Sequence, residues 1–592
     1  MKLAAPRGGR PFEQAWGHAV AFLDRSRRVN LADLLVLLGI AGLFIGVARV
    51  GREWTGTLRP VVDIDLSPAA LPRYAFYSLS RGLLAYALSL GFTLVYGYWA
   101  AKDRLAERVL LPLLDVLQSI PILGFMPGLV LALVALFPRT NTGLELAAVL
   151  MMFTGQVWNM TFSFHHSLRS VPEDFQEVGS SYHFSAWERL KWVELPFATT
   201  GLVWNSMMSM AGGWFFLMIN EAFVLGDRDF RLPGLGSYMS VAVAHGDGRA
   251  MVWAVLAMIG MSVLLDQLLW RPAVVWAQRF RYEETAAAES ESSWFLDWLR
   301  RSRLLRGLGQ LLPRLRHGAR RSVTPRPASA PRPAAPAPTR RSRVGTVASI
   351  VAFTVLVGLL LFAGVRLVVL LGAVPLPRWL GLVGATLVTL LRVLVAVVLG
   401  TLWTLPVGLA IGLSPRLSRA LQPVTQVAAS FPAPMLFPAV LALLHLLGVP
   451  LSVGSIVLML LGTQWYILFN VVAGASAIPT DLREAAASYR LSRWQRFTSL
   501  YAPAVFPYLV TGWVTAAGGA WNASIVAEYV SFHGQVHTAW GVGSQISLAA
   551  QQADFPALAA GVLVLSTMVV IFNRLVWRRC YDLAEQRYSL NR

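Results

Sequence analysis

Cysteine and lysine are almost missing from this 592-residue chain. Cys580 is its one cysteine, which excludes an internal disulfide and any cysteine-based metal site. Lysine occurs only at positions 2, 102 and 191, and none follows a glycine, so there is no G-x-x-x-x-G-K-[ST] phosphate loop. H-E-x-x-H, clustered Cys and His, and G-x-S-x-G are absent too, so no residue is nominated as catalytic or metal-ligating. His165-His166 is a pair without further ligands and reads as the solvated end of an apolar run. Charge is scarce as well: 14% of residues are charged, against about 25% in soluble domains.

Apolar residues take their place. Hydrophobic types make up 56% of the chain, and many stretches exceed the ~20 residues that cross a bilayer. This is an all-α polytopic membrane protein, and no short alternating strands point to a barrel. The net charge of +20 sits largely in segments between and beyond the spans, where Arg and Lys anchor topology, so nucleic acid is not the expected partner.

About twelve spans are predicted. The first six lie near Leu31–Val50, Phe76–Ala100, Val109–Phe137, Gly143–Phe164, Pro196–Leu225 and Met251–Trp270; the second six near Val344–Gly372, Ala385–Leu413, Leu421–Leu447, Val453–Val472, Pro503–Ala527 and Phe555–Trp577. The domain reading is a basic segment at 1–30, a transmembrane half at 31–281, a linker at 282–343 and a second half at 344–592. Arg7, Arg10, Arg25, Arg27 and Arg28 at the start, and Arg271, Arg279 and Arg281 after the sixth span, put both ends of the first half in the cytoplasm. No cleavable leader is apparent, so the first span itself is expected to target the chain. Within the linker, Trp294–Leu299 alternates with Arg300, Arg301, Arg303 and Arg306 as a surface helix would, and Thr324–Thr339 is a Pro/Ala/Arg-rich coil.

The two halves repeat each other. Arg81 and Arg392, Pro112 and Pro423, Pro121 and Pro432, and Pro127 and Pro438 all differ by 311; after a four-residue deletion, Trp158 and Trp465, Trp214 and Trp521, Glu221 and Glu528, and Gly236 and Gly543 differ by 307. Coincidences at this density mean duplication. A loop lies at the same register in both halves, 177–196 and 484–503. If both copies face one side, each half holds an even number of spans, and the halves are parallel repeats with a solute path between them.

The loop predicts a helix, a turn and a second helix. Ser170 with Pro172 and Glu173, and Pro479 with Thr480 and Asp481, announce the first helix. Glu177, Ser181 and Phe184 share one helical face, as do Glu484, Ser488 and Leu491. Ser185-Ala-Trp187-Glu and Ser492-Arg-Trp494-Gln are capping boxes that start the second.

On these residues the loop resembles the EAA loop of ABC importer permeases, with E-A-A at Glu484, Ala485 and Ala486 and a weaker E-V-G at Glu177–Gly179. S-R-W-Q at Ser492–Gln495, A-W…A-E at Ala520–Trp521 and Ala527–Glu528, G-L-G-S-Y at Gly234–Tyr238 and G-V-G-S-Q at Gly541–Gln545 resemble the branch serving nitrate, sulfonates, taurine and related solutes. The resemblance covers about 200 residues of each half and implies a type I ABC importer-like fold with two fused six-helix halves. It implies coupling through Glu177, Ser181, Tyr182, Ser185 and Trp187 in one copy and Glu484–Ala486, Ser488, Tyr489, Ser492 and Trp494 in the other. It implies two ATPase subunits that bind ATP and Mg on the cytoplasmic side of a bacterial inner membrane, and a periplasmic or lipid-anchored solute-binding protein. The expected substrate is a small anion such as nitrate, a sulfonate, taurine or bicarbonate, with no cofactor in this chain. The family places glycine six residues after the Glu, where this chain has His183 and Arg490, so the turn is expected to differ in shape.

Ionised residues inside spans are costly and often functional. Arg81, Glu221, Arg392 and Glu528, with Trp214 and Trp521 seven residues before each Glu, are candidates for the solute path or its gate. The alternative role is pairing that locks the spans, and charge pairs near the interface of the halves are expected. A twelve-span secondary transporter would also show parallel halves, and it stays open as the runner-up; a membrane enzyme lacks a catalytic constellation.

Overall fold

A computed structural model describes residues 31–59, 62–225, 228–280, 293–302, 343–532 and 535–588. The basic segment 1–30 and nearly all of the linker 282–343 lie outside the described residues. The chain divides into two compact units, residues 1–51 with 288–364, and residues 52–287 with 365–592.

The elements in chain order are α1 (Leu31–Thr55), α2 (Leu71–Lys102), α3 (Arg104–Ser119), α4 (Ile122–Leu136), α5 (Thr142–Arg169), α6 (Glu173–Ser181), α7 (Ala186–Arg189), α8 (Leu195–Asn220), the hairpin β1 (Ala222–Leu225) and β2 (Arg228–Arg231), α9 (Leu235–Ala244), α10 (Gly248–Leu265), α11 (Arg271–Ala277) and α12 (Trp294–Arg301). The second series is α13 (Arg343–Leu371), α14 (Leu376–Leu413), α15 (Pro415–Ser430), α16 (Phe437–Leu446), α17 (Leu451–Ser476), α18 (Thr480–Ser488), α19 (Arg493–Arg496), α20 (Ala502–Ala527), the hairpin β3 (Tyr529–Phe532) and β4 (Gln535–Thr538), α21 (Val542–Gln551), α22 (Phe555–Phe572) and α23 (Arg578–Tyr588). From α2 and from α14 onward, the order of the elements is the same.

In the first unit, Leu34, Leu38, Phe44 and Ile45 of α1 are exposed, as lipid-facing side chains are. Ser293 caps α12, and the Ser302 hydroxyl just after it donates to Asp33 Oδ1 at 2.7 Å, both groups being buried.

The second unit holds both repeats. In the first, α5 packs between α2 and α8; in the second, α17 packs between α14 and α20. Small residues permit close approach. A Cβ on Gly97 would lie 2.9 Å from Phe164 of α5, and one on Gly408 would lie 2.6 Å from Val471 of α17. The larger core runs through the second repeat and reaches Ile122, Leu123, Met151 and Phe216 of the first, so one apolar interior joins the halves.

Eight helices are long and apolar enough to cross a membrane among the described residues, or nine counting a bent pair. That is fewer than the dozen spans read from the sequence, for three reasons. Val109–Phe137 is not one span but α3 and α4, broken before Pro121; Leu421–Leu447 breaks before Pro432, with an 85° bend between its two parts. Proline lacks an N–H and pushes the preceding residue out of the helical region, so prolines at one repeat position stop both helices. The span predicted at Gly143–Phe164 lies in α5, whose 28 residues give ample length but include buried Glu145 and Gln156 that satisfy themselves against neighbouring helices. The span predicted at Val344–Gly372 is helix α13, of which Val357–Leu371 forms a shorter apolar stretch.

Candidate functional site

Three places in the second unit carry polar chemistry: the repeated loops, a buried arginine–glutamate cluster in each half, and a cavity between the halves.

In the first loop, α6 ends at Ser181 and the chain turns through His183, with φ +53°. His183 N–H donates to Ser180 O and Phe184 N–H to Gly179 O at 3.0 and 2.9 Å, the paired bonds of a Schellman stop. In the second loop, Arg490 has φ +51°, with Arg490 N–H to Ala487 O and Leu491 N–H to Ala486 O at 3.0 and 3.1 Å. The expected change of shape does not occur. Both turns keep the left-handed conformation that suits glycine, at a cost of about 1–2 kcal/mol each. The motif also explains the third letter of E-A-A: Ala486 and Gly179 are buried at the position whose carbonyl receives the last bond, where only a small side chain is present.

The second helices start as read. Ser185 and Glu188, and Ser492 and Gln495, form reciprocal capping boxes. The first helices start differently: Pro172 and Pro479 precede them without side-chain caps, and the Ser170 hydroxyl instead donates to Ser167 O at 3.3 Å at the end of α5. Tyr182, Trp187, Tyr489 and Trp494 are 69–82% exposed. Large aromatics held in water on a capped, polar loop are what a docking surface looks like. Each loop then passes through a π-helical turn, Leu190–Glu194 or Phe497–Tyr501, into α8 or α20. Such turns frequently mark functional sites.

Both intramembrane clusters follow one plan. Arg81 on α2 donates from Nη1 to Glu221 Oε1 at 2.7 Å and to Pro233 O at 2.9 Å. Arg392 on α14 donates from Nη1 to Glu528 Oε1 at 2.7 Å and to Trp540 O at 3.0 Å. One turn earlier, the Ser78 and Thr389 hydroxyls donate to the same carboxylate oxygens at 2.7 and 2.8 Å. The other carboxylate oxygen receives Gly236 N–H at 2.7 Å or Gly543 N–H at 2.9 Å, at the start of α9 or α21. The G-L-G and G-V-G motifs are explained by this contact. A Cβ on Gly234 or Gly541 would sit 2.2 Å from the carboxylate, so only glycine lets the helix start close over it.

The clusters differ at one position that sequence reading missed. Arg81 Nε and Nη2 grip Glu145 of α5 as a fork, at 2.6 and 2.7 Å. The 307 offset puts Ser452 there, and Arg392 Nε reaches only its backbone carbonyl, at 3.1 Å. The signal was available, as a lone acid within an apolar helix whose repeat partner is not an acid. The pairs expected near the interface of the halves therefore form inside each half, and none of Arg81, Glu221, Arg392 and Glu528 lines the cavity between them. Trp214 is buried in the core of the first half against Gly82, whereas Trp521 does line that cavity.

The cavity has a volume of about 170 Å³ and is lined from both halves in repeat register. Trp158 faces with Trp465, Gly155 with Gly462, Gly212 with Gly519, and Pro121 with Pro432. Asn159, Gln118, Tyr466 and Asn522 add neutral polar groups, and among the described residues no Asp, Glu, Lys or Arg lines it. Asn522 Oδ1 accepts from Ile122 N–H across the halves at 2.8 Å, which ties the first turn of α4 to α20.

A duplicated helical membrane core, with one polar loop per repeat and a cavity lined from both repeats, fits the permease class of membrane protein. The chain belongs to the family described as binding-protein-dependent transport system inner membrane component, whose pattern it matches twice, over residues 93–269 and 404–588. Among its relatives are the nitrate import permease protein NrtB of Leptolyngbya laminosa, 29% identical over 24% of this chain and 50% of that protein, and the bicarbonate transport system permease protein CmpB of Synechococcus elongatus, 28% identical over 33% of this chain and 67% of that protein. The glycine betaine/carnitine transport permease protein GbuB of Listeria monocytogenes is 24% identical over 40% of this chain and 78% of its own length. The chain spans about half the length of the nitrate permeases that it matches.

Proposed function

We propose that this chain forms the transmembrane pathway of an ATP-driven importer of a small anion in a bacterial inner membrane, with both termini cytoplasmic. The carrying observation is the pair of capped, aromatic-bearing loops at one register of two tandem halves. Two ATPase subunits, binding ATP and Mg, dock on the loops, and their closure tilts the halves through α8 and α20. A periplasmic or lipid-anchored binding protein delivers solute to the opposite face. A secondary transporter leaves the two loops without a role.

The cavity supports the substrate class. Its neutral donors can coordinate an anion without trapping it, and the first turn of α4 and the 3₁₀ turn Ala433–Leu436 that precedes α16 bring N-terminal partial positive charge to its wall. The names of the nitrate and bicarbonate relatives point the same way. The test is uptake into proteoliposomes holding the chain with its ATPase subunits and binding protein. Labelled nitrate or bicarbonate is expected to enter only with ATP, and Trp187→Ala with Trp494→Ala is expected to lower uptake more than tenfold. Uptake driven by an ion gradient without ATP would overturn the proposal.

A further inference from the structure

The two loops have the same shape and opposite charge. Shape is shared down to the left-handed residue, the capping box and the exposed Tyr and Trp anchors. Charge is not. Over residues 173–191 the first loop carries Glu173, Asp174, Glu177 and Glu188 against Arg189 and Lys191, net −2 with His neutral. Over the matching residues 480–498 the second carries Asp481 and Glu484 against Arg483, Arg490, Arg493 and Arg496, net +2. All four acids of the first loop are exposed; on the second, Asp481, Glu484, Arg490 and Arg493 are exposed and balance one another, and the half-buried Arg483 and Arg496 make that loop net positive.

Their attachments to the membrane core differ as well, by an ion pair that adds no net charge. Glu194, buried at the end of the first π turn, accepts from Lys102 Nζ at 2.6 Å and lies 3.0 Å from Arg189 Nε. The matching positions of the second half are Tyr501, Leu413 and Arg496, whose Nε instead donates to Leu491 O at 2.9 Å.

Two identical grooves cannot both complement surfaces of opposite sign, because like charges brought together at an interface are strongly unfavourable. Resting on the permease reading above, we infer that the partner is a pair of non-identical ATPase chains: one with a basic rim around the groove that takes Trp187, the other with an acidic rim around the groove that takes Trp494. The common anchors require homologous grooves; the charges require different chains and fix which one meets which half. Positioning is then built into the fused permease, since a single polypeptide orders its two loops.

The experiment is native mass spectrometry of the intact complex purified from the source cells, followed by reciprocal charge exchange. One copy of this chain with two ATPase chains of different mass is expected. Two copies of a single ATPase overturn the inference and leave the permease reading intact, whereas a complex without any ATP-hydrolysing chain overturns the permease reading itself. Ala186→Arg with Glu188→Gln moves the first loop toward the second, and Arg493→Ala with Gln495→Glu does the reverse, while a capping box survives in each. Each exchange is expected to cut retention of a different ATPase chain about tenfold at low salt. Equal loss of both chains, or no loss of either, also overturns it.

Discussion

The family glycine missing from each loop turn proves to be a matter of energy and not of shape. His183 and Arg490 hold the left-handed conformation, and so does Ala553, at the repeat position where the first half has Gly246 with φ +67°. An L-residue pays about 1–2 kcal/mol there, which glycine avoids, although glycine also raises the entropy of the unfolded chain. His183→Gly and Arg490→Gly are accordingly expected to leave ATPase assembly intact and to hold or raise thermal stability, by up to about 1 kcal/mol each. Arg490→Gly still leaves three arginines on its loop. Loss of the complex in a pull-down at physiological salt would show that these side chains, and not the turn, make the contact. The turn position was legible in the sequence as a departure from pattern. Its conformation was not, because the penalty is small enough for the Schellman bonds to overcome.

At the scale of elements, a buried arginine ties helices together in each half, and the ties are unequal. Arg81 holds α5 through Glu145 and α8 through Glu221, whereas Arg392 has Glu528 as its carboxylate partner and a carbonyl in place of the second acid. Removing one member of a buried pair costs about 3–5 kcal/mol when it leaves a charge uncompensated. Glu528→Gln does that to Arg392, while Glu221→Gln leaves Arg81 in the fork of Glu145. Glu528→Gln is therefore expected to destabilise the detergent-solubilised protein by about 3 kcal/mol or more, and Glu221→Gln by less than half as much. Equal shifts in the two melting curves would mean that the fork carries no weight. Arginine and glutamate in apolar helices are visible in the sequence as candidates, and pairing is one of the two roles it offers them. Glu145 stood out in the sequence only as a lone acid without a charged twin; that it is the second partner of Arg81 depends on the packing of α5 against α2, which the repeat register does not give.

For the whole molecule, the duplication was the most legible property, because prolines, glycines and tryptophans recur at fixed offsets across both halves. The count of spans was less so. Apolar composition marks where a chain enters the bilayer but not where Pro121 and Pro432 split a run into two helices, and those splits bring both halves to the central cavity. The cavity itself could not be read from the sequence, as its lining comes from seven separate segments, mostly of ordinary apolar and amide residues. Its size rests partly on absent side chains. Gly212 faces Tyr466, whose hydroxyl lies 3.4 Å from where a Cβ would stand, so alanine fits at the edge of contact and anything longer projects into the space. Gly212→Leu is expected to cut ATP-driven uptake more than tenfold, because a 170 Å³ space shared by two halves has little room to spare. Assembly with the ATPase chains is expected to persist, since Gly212 belongs to the cavity wall and not to either loop. Gly212→Ala serves as the control and is expected to retain most uptake. Should the leucine variant transport as the parent does, the solute does not pass between the halves at this point, and the polar groups of Asn159, Tyr466 and Asn522 lose their role as its lining.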